Sequence, residues 1–117
     1  MTAQGHSFPK SERISGVKDV AALLAGGKWC RSELLKACYM RNGLEYSRVV
    51  VAVPKRLFKR AVKRNLLKRR IREAYRLQKE LLAGGGYDIL LQYNVPEVAD
   101  FQAVKQDVAG VLQRISQ

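Results

Sequence analysis

The sequence predicts an α+β domain: one mixed β-sheet of about four strands, packed with a short N-terminal helix, a long basic helix and a C-terminal helix. Three observations predict it. Two long stretches, near residues 59–82 and 100–115, repeat apolar residues at the helical period. The stretches 34–40, 46–53 and 87–93 instead alternate or run β-branched and aliphatic. Glycine and proline pairs punctuate the boundaries between them. Helices grouped around one such sheet define the α+β class.

Taken in order, residues 1–9 form a polar, flexible N-terminal arm that ends at Pro9, and residues 10–117 form a single domain. A short helix over about Lys18–Ala25 carries Val20, Leu23 and Leu24, with Ser15 or Ser11 as its N-cap and Gly26-Gly27 as its stop. From Lys28 to Met40 the chain is extended, with Leu35, Ala37 and Tyr39 on one face and Leu34, Lys36 and Cys38 on the other; Trp29 lies in this stretch or in a short strand of its own. Asn42-Gly43 is the strongest hairpin signal in the chain and predicts pairing with a strand over Tyr46–Val53, where Val49, Val50 and Val51 in succession predict burial on both faces. Pro54 ends that strand. Tyr87–Tyr93 is a further strand, and the last helix, about Asp100–Ile115, presents Phe101, Val104, Val108, Leu112 and Ile115 as its core stripe.

The long helix carries the charge. Residues 55–79 hold 12 of the 22 Lys and Arg against one acid, Glu73, so this stretch nets +11 of the formal +12. At 100° per residue, Asn65, Lys68, Arg69, Arg72, Arg76 and Lys79 share one face, opposite Leu67, Ile71, Ala74, Tyr75, Leu81 and Leu82. The spacing predicts a helix of roughly six turns, starting near Lys59 and closed by Gly84-Gly85-Gly86. Solvated helix faces usually mix signs for i,i+4 pairing, whereas here only Glu73 is placed to pair, with Arg69 or Arg76. So local a cationic surface repels itself until a polyanion meets it, and the common polyanion is nucleic acid.

Composition excludes other classes. At 117 residues and 47% hydrophobic content the chain supports one core without staples. No apolar run approaches membrane-spanning length, and no charged-then-apolar leader opens the chain, so a cytoplasmic protein is expected. Cys30 and Cys38 read as reduced structural thiols, and His6 is the only histidine. These residues build no metal cluster and no acid–base pair, so no catalytic side chains, no metal site and no cofactor bound by this chain alone are expected.

The run Arg64-Asn65-Leu66-Leu67-Lys68-Arg69-Arg70-Ile71-Arg72-Glu73, preceded by Ala61-Val62, resembles the signature of the bacterial ribonuclease P protein family. Phe8 to Ile14, Lys18-Asp19, Gly26-Gly27-Lys28 and Tyr87 to Leu91 are similar to further parts of that family's pattern. The resemblance implies a subunit that binds the catalytic RNA of ribonuclease P and the 5′ leader of precursor tRNA, assisting endonucleolytic removal of the leader. It implies that the RNA performs the hydrolysis with Mg²⁺; no obligate protein partner is evident in the sequence. It also implies a left-handed β–α–β crossover around the long helix, against the usual hand, and the fold of the second domain of a small-subunit ribosomal protein.

Under that resemblance, Lys55, Arg56, Lys59, Arg60, Lys63, Arg64, Asn65, Lys68, Arg69, Arg72 and Arg76 are the RNA-binding candidates. Arginine offers a planar fork to phosphate and a plane to stack on unpaired bases. Asn65 suits a base edge or a 2′-hydroxyl; a local capping role competes with that assignment. Val20, Leu24, Lys36 and Cys38 are the candidates for a leader-binding cleft. The chain departs from the family in carrying Lys59-Arg60 where Gly-Asn is common, and Val20 and Leu24 where aromatics are usual. Trp29 and Tyr39 are the alternative aromatic surface, with core packing the competing role for Tyr39.

Three other functions compete. A ribosomal or ribosome-assembly RNA-binding protein shares the composition but not the 64–73 run. A helix-turn-helix DNA reader requires two short helices joined by a tight turn, a pattern absent before the basic helix. A membrane-surface helix usually carries Trp or Phe on its apolar face, and this one carries Leu, Ile and Tyr.

Overall fold

The computed structural model describes residues 10–14, 16–82 and 85–116. Their elements are α1 (Val17–Gly26), β1 (Lys28–Arg31), β2 (Leu35–Arg41), β3 (Arg48–Ala52), α2 (Ala61–Gln78), β4 (Tyr87–Tyr93) and α3 (Phe101–Ile115), with short 3₁₀ turns at Lys10–Glu12 and Lys79–Leu81. The N-terminal arm, Ser15 and Gly84 lie outside the described residues.

The sheet order is β1-β2-β4-β3. β4 is its axis, antiparallel to β2 and parallel to β3, so the sheet is mixed and α2 is the crossover between two parallel strands. The sequence YDILLQY suits this place, because a strand covered on both faces has no need to alternate.

Two expectations about the strands are corrected here. The hairpin predicted across Asn42-Gly43 does not exist: β4 lies between β2 and β3. Gly43 does take the turn's positive φ of 75°, but the Asn42 side chain folds the segment into a wider loop. Its Oδ1 accepts from Leu44 N at 2.8 Å, and its Nδ2 donates to Tyr46 O and to Asp88 Oδ1. The loop then crosses the end of β4, where Tyr87 N donates to Ser47 Oγ. Nor is β3 buried on both faces. Val49 and Val51 are buried while Val50 is half-buried, as befits an edge strand under a short helix.

The true hairpin joins β1 and β2, so Trp29 belongs to a strand of its own. Its turn has no Gly, Asn or Pro to announce it. Ser32 N donates to Leu35 O at 2.9 Å, and Asp107 of α3 clasps the turn, its Oδ2 accepting from Leu34 N at 3.1 Å and from the Ser32 hydroxyl. A tertiary carboxylate adds to the local bonds of the Ser32 hydroxyl, which accepts from Leu35 N at 3.2 Å and faces Leu35 O at the same distance.

The helices cover the two faces unequally. α2 and α3 pack on one face, where Leu67, Ile71, Ala74 and Tyr75 of α2 and Val104, Val108 and Leu112 of α3 meet Leu35, Ala37, Ile89, Leu91 and Val49. α1 alone lies on the other, closing a smaller cluster of Ile14, Leu23, Cys38 and Leu90. That contact is close because Gly27 follows the helix: a Cβ there meets Cys38 Sγ at 2.5 Å and Leu23 O at 2.6 Å. Gly16 is the α1 N-cap, without a side-chain cap bond, in place of Ser11, which lies in the preceding 3₁₀ turn.

α2 begins at Ala61 rather than Lys59, after Leu57 N and Phe58 N turn back onto Pro54 O. Phe58 is buried against Tyr93, whereas Val62 is exposed. α3 begins where expected: Asp100 caps it, accepting from Ala103 N at 2.9 Å.

Candidate nucleic-acid interface

α2 turns its apolar stripe to the core, which fixes where its cations point. Over 18 residues, about 27 Å of helix, Lys68, Arg69 and Arg72 lie on the outer side, while Lys63, exposed in the first turn, stands on the other flank of the core stripe. No hydrogen bond or ion pair engages these four among the described residues. Asn65 shares the face of Lys68, Arg69 and Arg72, is exposed, and stands five residues inside the helix, too far from its start to act as a cap. Together with Arg13, whose backbone bridges to Val49, Asn65, Arg69, Arg72, Glu73 and Arg76 line a shallow surface pocket of about 350 Å³. This pocket is flanked by guanidinium forks suited to phosphate.

Other cations of the segment are occupied. Arg76 forks onto Glu73 at 2.9 and 2.6 Å, and that hydrogen bonding holds the Glu73 carboxyl below its ordinary value. Lys79 pairs with Glu12 at 2.8 Å, a partner outside the basic segment. Arg70 donates to Ala99 O and ties α2 to the start of α3. Arg64 Nη1 donates at 2.8 Å to both Phe58 O and Lys59 O, making it a strut of the loop that opens the helix. Around that strut Lys55, Arg56, Lys59 and Arg60 are all exposed. Arg60 caps α2 with no side-chain bond to the first amides, which leaves those N–H groups and the positive end of the dipole beside four cations.

The second candidate surface is the sheet face beneath and beyond α1. Register places Trp29 and Arg31 of β1, Lys36, Cys38 and Met40 of β2, Leu90 and Gln92 of β4, and Val50 and Ala52 of β3 on this face. Val20 is half-buried, packed against the small cluster, and Leu24 is exposed. Cys38, by contrast, is fully buried and offers no surface to a ligand: its Sγ lies 3.3 Å from Leu23 O, and burial raises its pKa. It supports the floor under α1, which alternation within β2 alone does not reveal, because both faces of β2 are covered at that point. Tyr39 faces the main core, edge-on to Tyr87, so packing is its role. Among the described residues no group of three or more His, Cys, Asp or Glu side chains gathers to hold a metal ion, and no helix is long and apolar enough to cross a membrane.

Fold and site together define an α+β protein with a helix-borne cationic face. The ribonuclease P family model matches residues 8–116. The chain is 33% identical to the ribonuclease P protein component of Thermotoga maritima, the match covering 93% of this chain and 96% of that one. It is 34% identical to that of Ralstonia pickettii, covering 92% and 81%. The solved Thermotoga maritima protein superposes with a TM-score of 0.80 at 29% identity, covering 91% and 99% of the two chains. The Staphylococcus aureus protein, at 23% identity and a TM-score of 0.79, shares the fold. The chain belongs to the ribonuclease P protein family. It is the protein component of the tRNA-processing endoribonuclease and works with the ribonuclease P RNA.

Proposed function

We propose that the outer face of α2 seats on phosphates of the ribonuclease P RNA, and that the open sheet face beside α1 receives the 5′ leader of precursor tRNA. The observation that carries the first part is the set Asn65, Lys68, Arg69 and Arg72 on one outward face, with no ion pair to neutralise it among the described residues, and with Lys63 exposed in the first turn on the other flank of the helix. Lys55, Arg56, Lys59 and Arg60 extend that footprint to the helix N-terminus, where backbone amides add to the anion site. Arg64 holds this loop in shape, and Arg76 contributes at the rim as half of its pair with Glu73.

The leader surface is built from Val20, Leu24 and Lys36, with Cys38 beneath them. Aliphatic side chains offer a base a smaller contact than aromatic rings do, so Leu24 contributes less than the roughly 1–3 kcal/mol of a stacked base. In this reading the RNA carries the Mg²⁺ and the hydrolysis, and the holoenzyme acts in the cytoplasm. The test is the affinity of the assembled complex for tRNA with and without its leader. Leu24→Asp should weaken precursor binding and spare leaderless tRNA, whereas Arg69→Ala should impair assembly and so affect both. A folded Leu24→Asp protein that harms both equally removes the leader from this face.

A further inference from the structure

Trp29 is the only tryptophan in the chain, and 48% of it is exposed on an edge strand. An indole left in solvent forgoes one of the largest burials a side chain offers, although the main core lies just behind β1 and Cys30, its neighbour, packs there. Register explains the orientation. Trp29 pairs with Cys38 and Arg31 with Lys36, so the indole stands on the α1 side of the sheet, outboard of the helix. The Lys36 ammonium lies 5.1 Å from its ring centroid, a diagonal neighbour on the same face. Trp29, Cys30, Arg31 and Lys36 line an open pocket of about 330 Å³. Glu33, in the adjacent turn, is the nearest acid in sequence; Asp107 is engaged by that turn from the opposite face.

An aromatic plane flanked by two cations is the chemistry that binds an unpaired nucleotide, the base stacking on the ring and the phosphates lying against the charges. We propose that Trp29, with Lys36 and Arg31, is a stacking platform for one base of the single-stranded leader. It supplies on β1 the aromatic contact that Val20 and Leu24 do not supply on α1. The Lys36 ammonium is the resting occupant of the ring face, and it moves aside to a phosphate when a base arrives. The inference rests on the leader reading above and assigns that contact to a residue of the sheet edge.

The single tryptophan makes the test direct. Its emission is followed while the holoenzyme, assembled with its RNA, is titrated with precursor tRNA and with leaderless tRNA. Stacking predicts quenching by the precursor alone. Trp29→Ala should weaken precursor affinity about tenfold, on the scale of one stacked base, without moving leaderless tRNA, and Trp29→Phe should recover most of the loss. If the precursor binds more tightly than leaderless tRNA while the emission stays unchanged and Trp29→Ala is neutral, the platform is wrong and the leader reading stands. If the wild-type complex does not distinguish the two tRNAs, both fall. Quenching that is equal for both tRNAs also overturns the platform.

Discussion

The guanidinium of Arg48 on β3 forks onto the carboxylate of Asp88 on β4, with Nε 2.8 Å from Oδ1 and Nη2 2.6 Å from Oδ2. The two residues are register partners in the parallel pair. The carboxylate is almost fully buried and also accepts from Asn42, while Arg48 reaches on to Asp19 in the first turn of α1 at 3.5 Å. One buried anion therefore holds the β3–β4 register and the 42–47 loop, and through Arg48 the docking of α1.

Replacing Asp88 by Ala should destabilise the protein by about 2–3 kcal/mol. This is below the usual cost of breaking a fully buried pair, because Arg48 retains some access to water. Asp19→Ala removes a longer, half-exposed contact and should cost less than about 0.5 kcal/mol. Denaturant unfolding compares them; equal costs contradict this account of the pair.

The turn between β1 and β2 depends on α3. Asp107→Ala leaves Leu34 N without its acceptor and the Ser32 hydroxyl with only its 3.2 Å bond to Leu35 O, and should cost about 1–3 kcal/mol, whereas Asp107→Asn, which keeps a side-chain acceptor, should cost less. Hydrogen exchange at β1 reads the same clasp. An unchanged exchange rate in Asp107→Ala refutes it.

Alkaline pH should destabilise the fold in a defined window. Burial raises the Tyr75 and Tyr93 phenols above their ordinary value of 10.0, so the folded state keeps protons that the unfolded chain releases. The stability this represents is intact below pH 10 and is lost as pH rises beyond it, at up to about 1.4 kcal/mol per pH unit for each phenol. Cys30 and Cys38, also raised by burial, add the same sign from about pH 9. Tyr75→Phe should shallow the decline measured by unfolding at pH 8–11; an unaltered slope contradicts the assignment.

Much of this was legible in the sequence, for identifiable reasons. The α2 stripe of Leu67, Ile71, Ala74 and Tyr75 and the α3 stripe ending at Ile115 are written at the helical period, and both are buried as their spacing predicts. Tyr87–Tyr93 appears with the predicted bounds because its composition suits the centre of a sheet. Strand partnership was not legible: Asn42-Gly43 is a strong local signal, yet β4, from 46 residues further on, takes the position beside β2, as the Asn42–Asp88 contact marks. The β1–β2 turn was hidden for the same reason, its determinant being Asp107. For the candidate site, the charge-dense segment of the sequence is the helix α2. Whether a given cation is outward or occupied depends on distant groups, Ala99 O for Arg70 and Glu12 for Lys79.

That distinction predicts different salt behaviour along one helix. The logarithm of the RNA association constant should fall steeply with the logarithm of salt, with a slope on the order of 5–8 neutralised phosphates. Lys68→Ala and Arg72→Ala should each shallow it by about 1 unit. Arg70→Ala should lower stability and leave the slope unchanged, since its guanidinium serves α3. A slope near zero, or one shifted equally by all three, rejects the outer face of α2 as the contact.

The most direct test is reconstitution with the cognate ribonuclease P RNA, measuring precursor tRNA cleavage at low Mg²⁺ with wild-type protein and with the Lys68→Ala/Arg72→Ala double variant. The wild-type chain should restore cleavage at the mature 5′ end, and the double variant should need a several-fold higher protein concentration while reaching the same rate once assembled. Cleavage that is independent of the protein, or equally supported by both proteins at limiting concentration, would contradict the claim that this helix face joins the chain to its RNA.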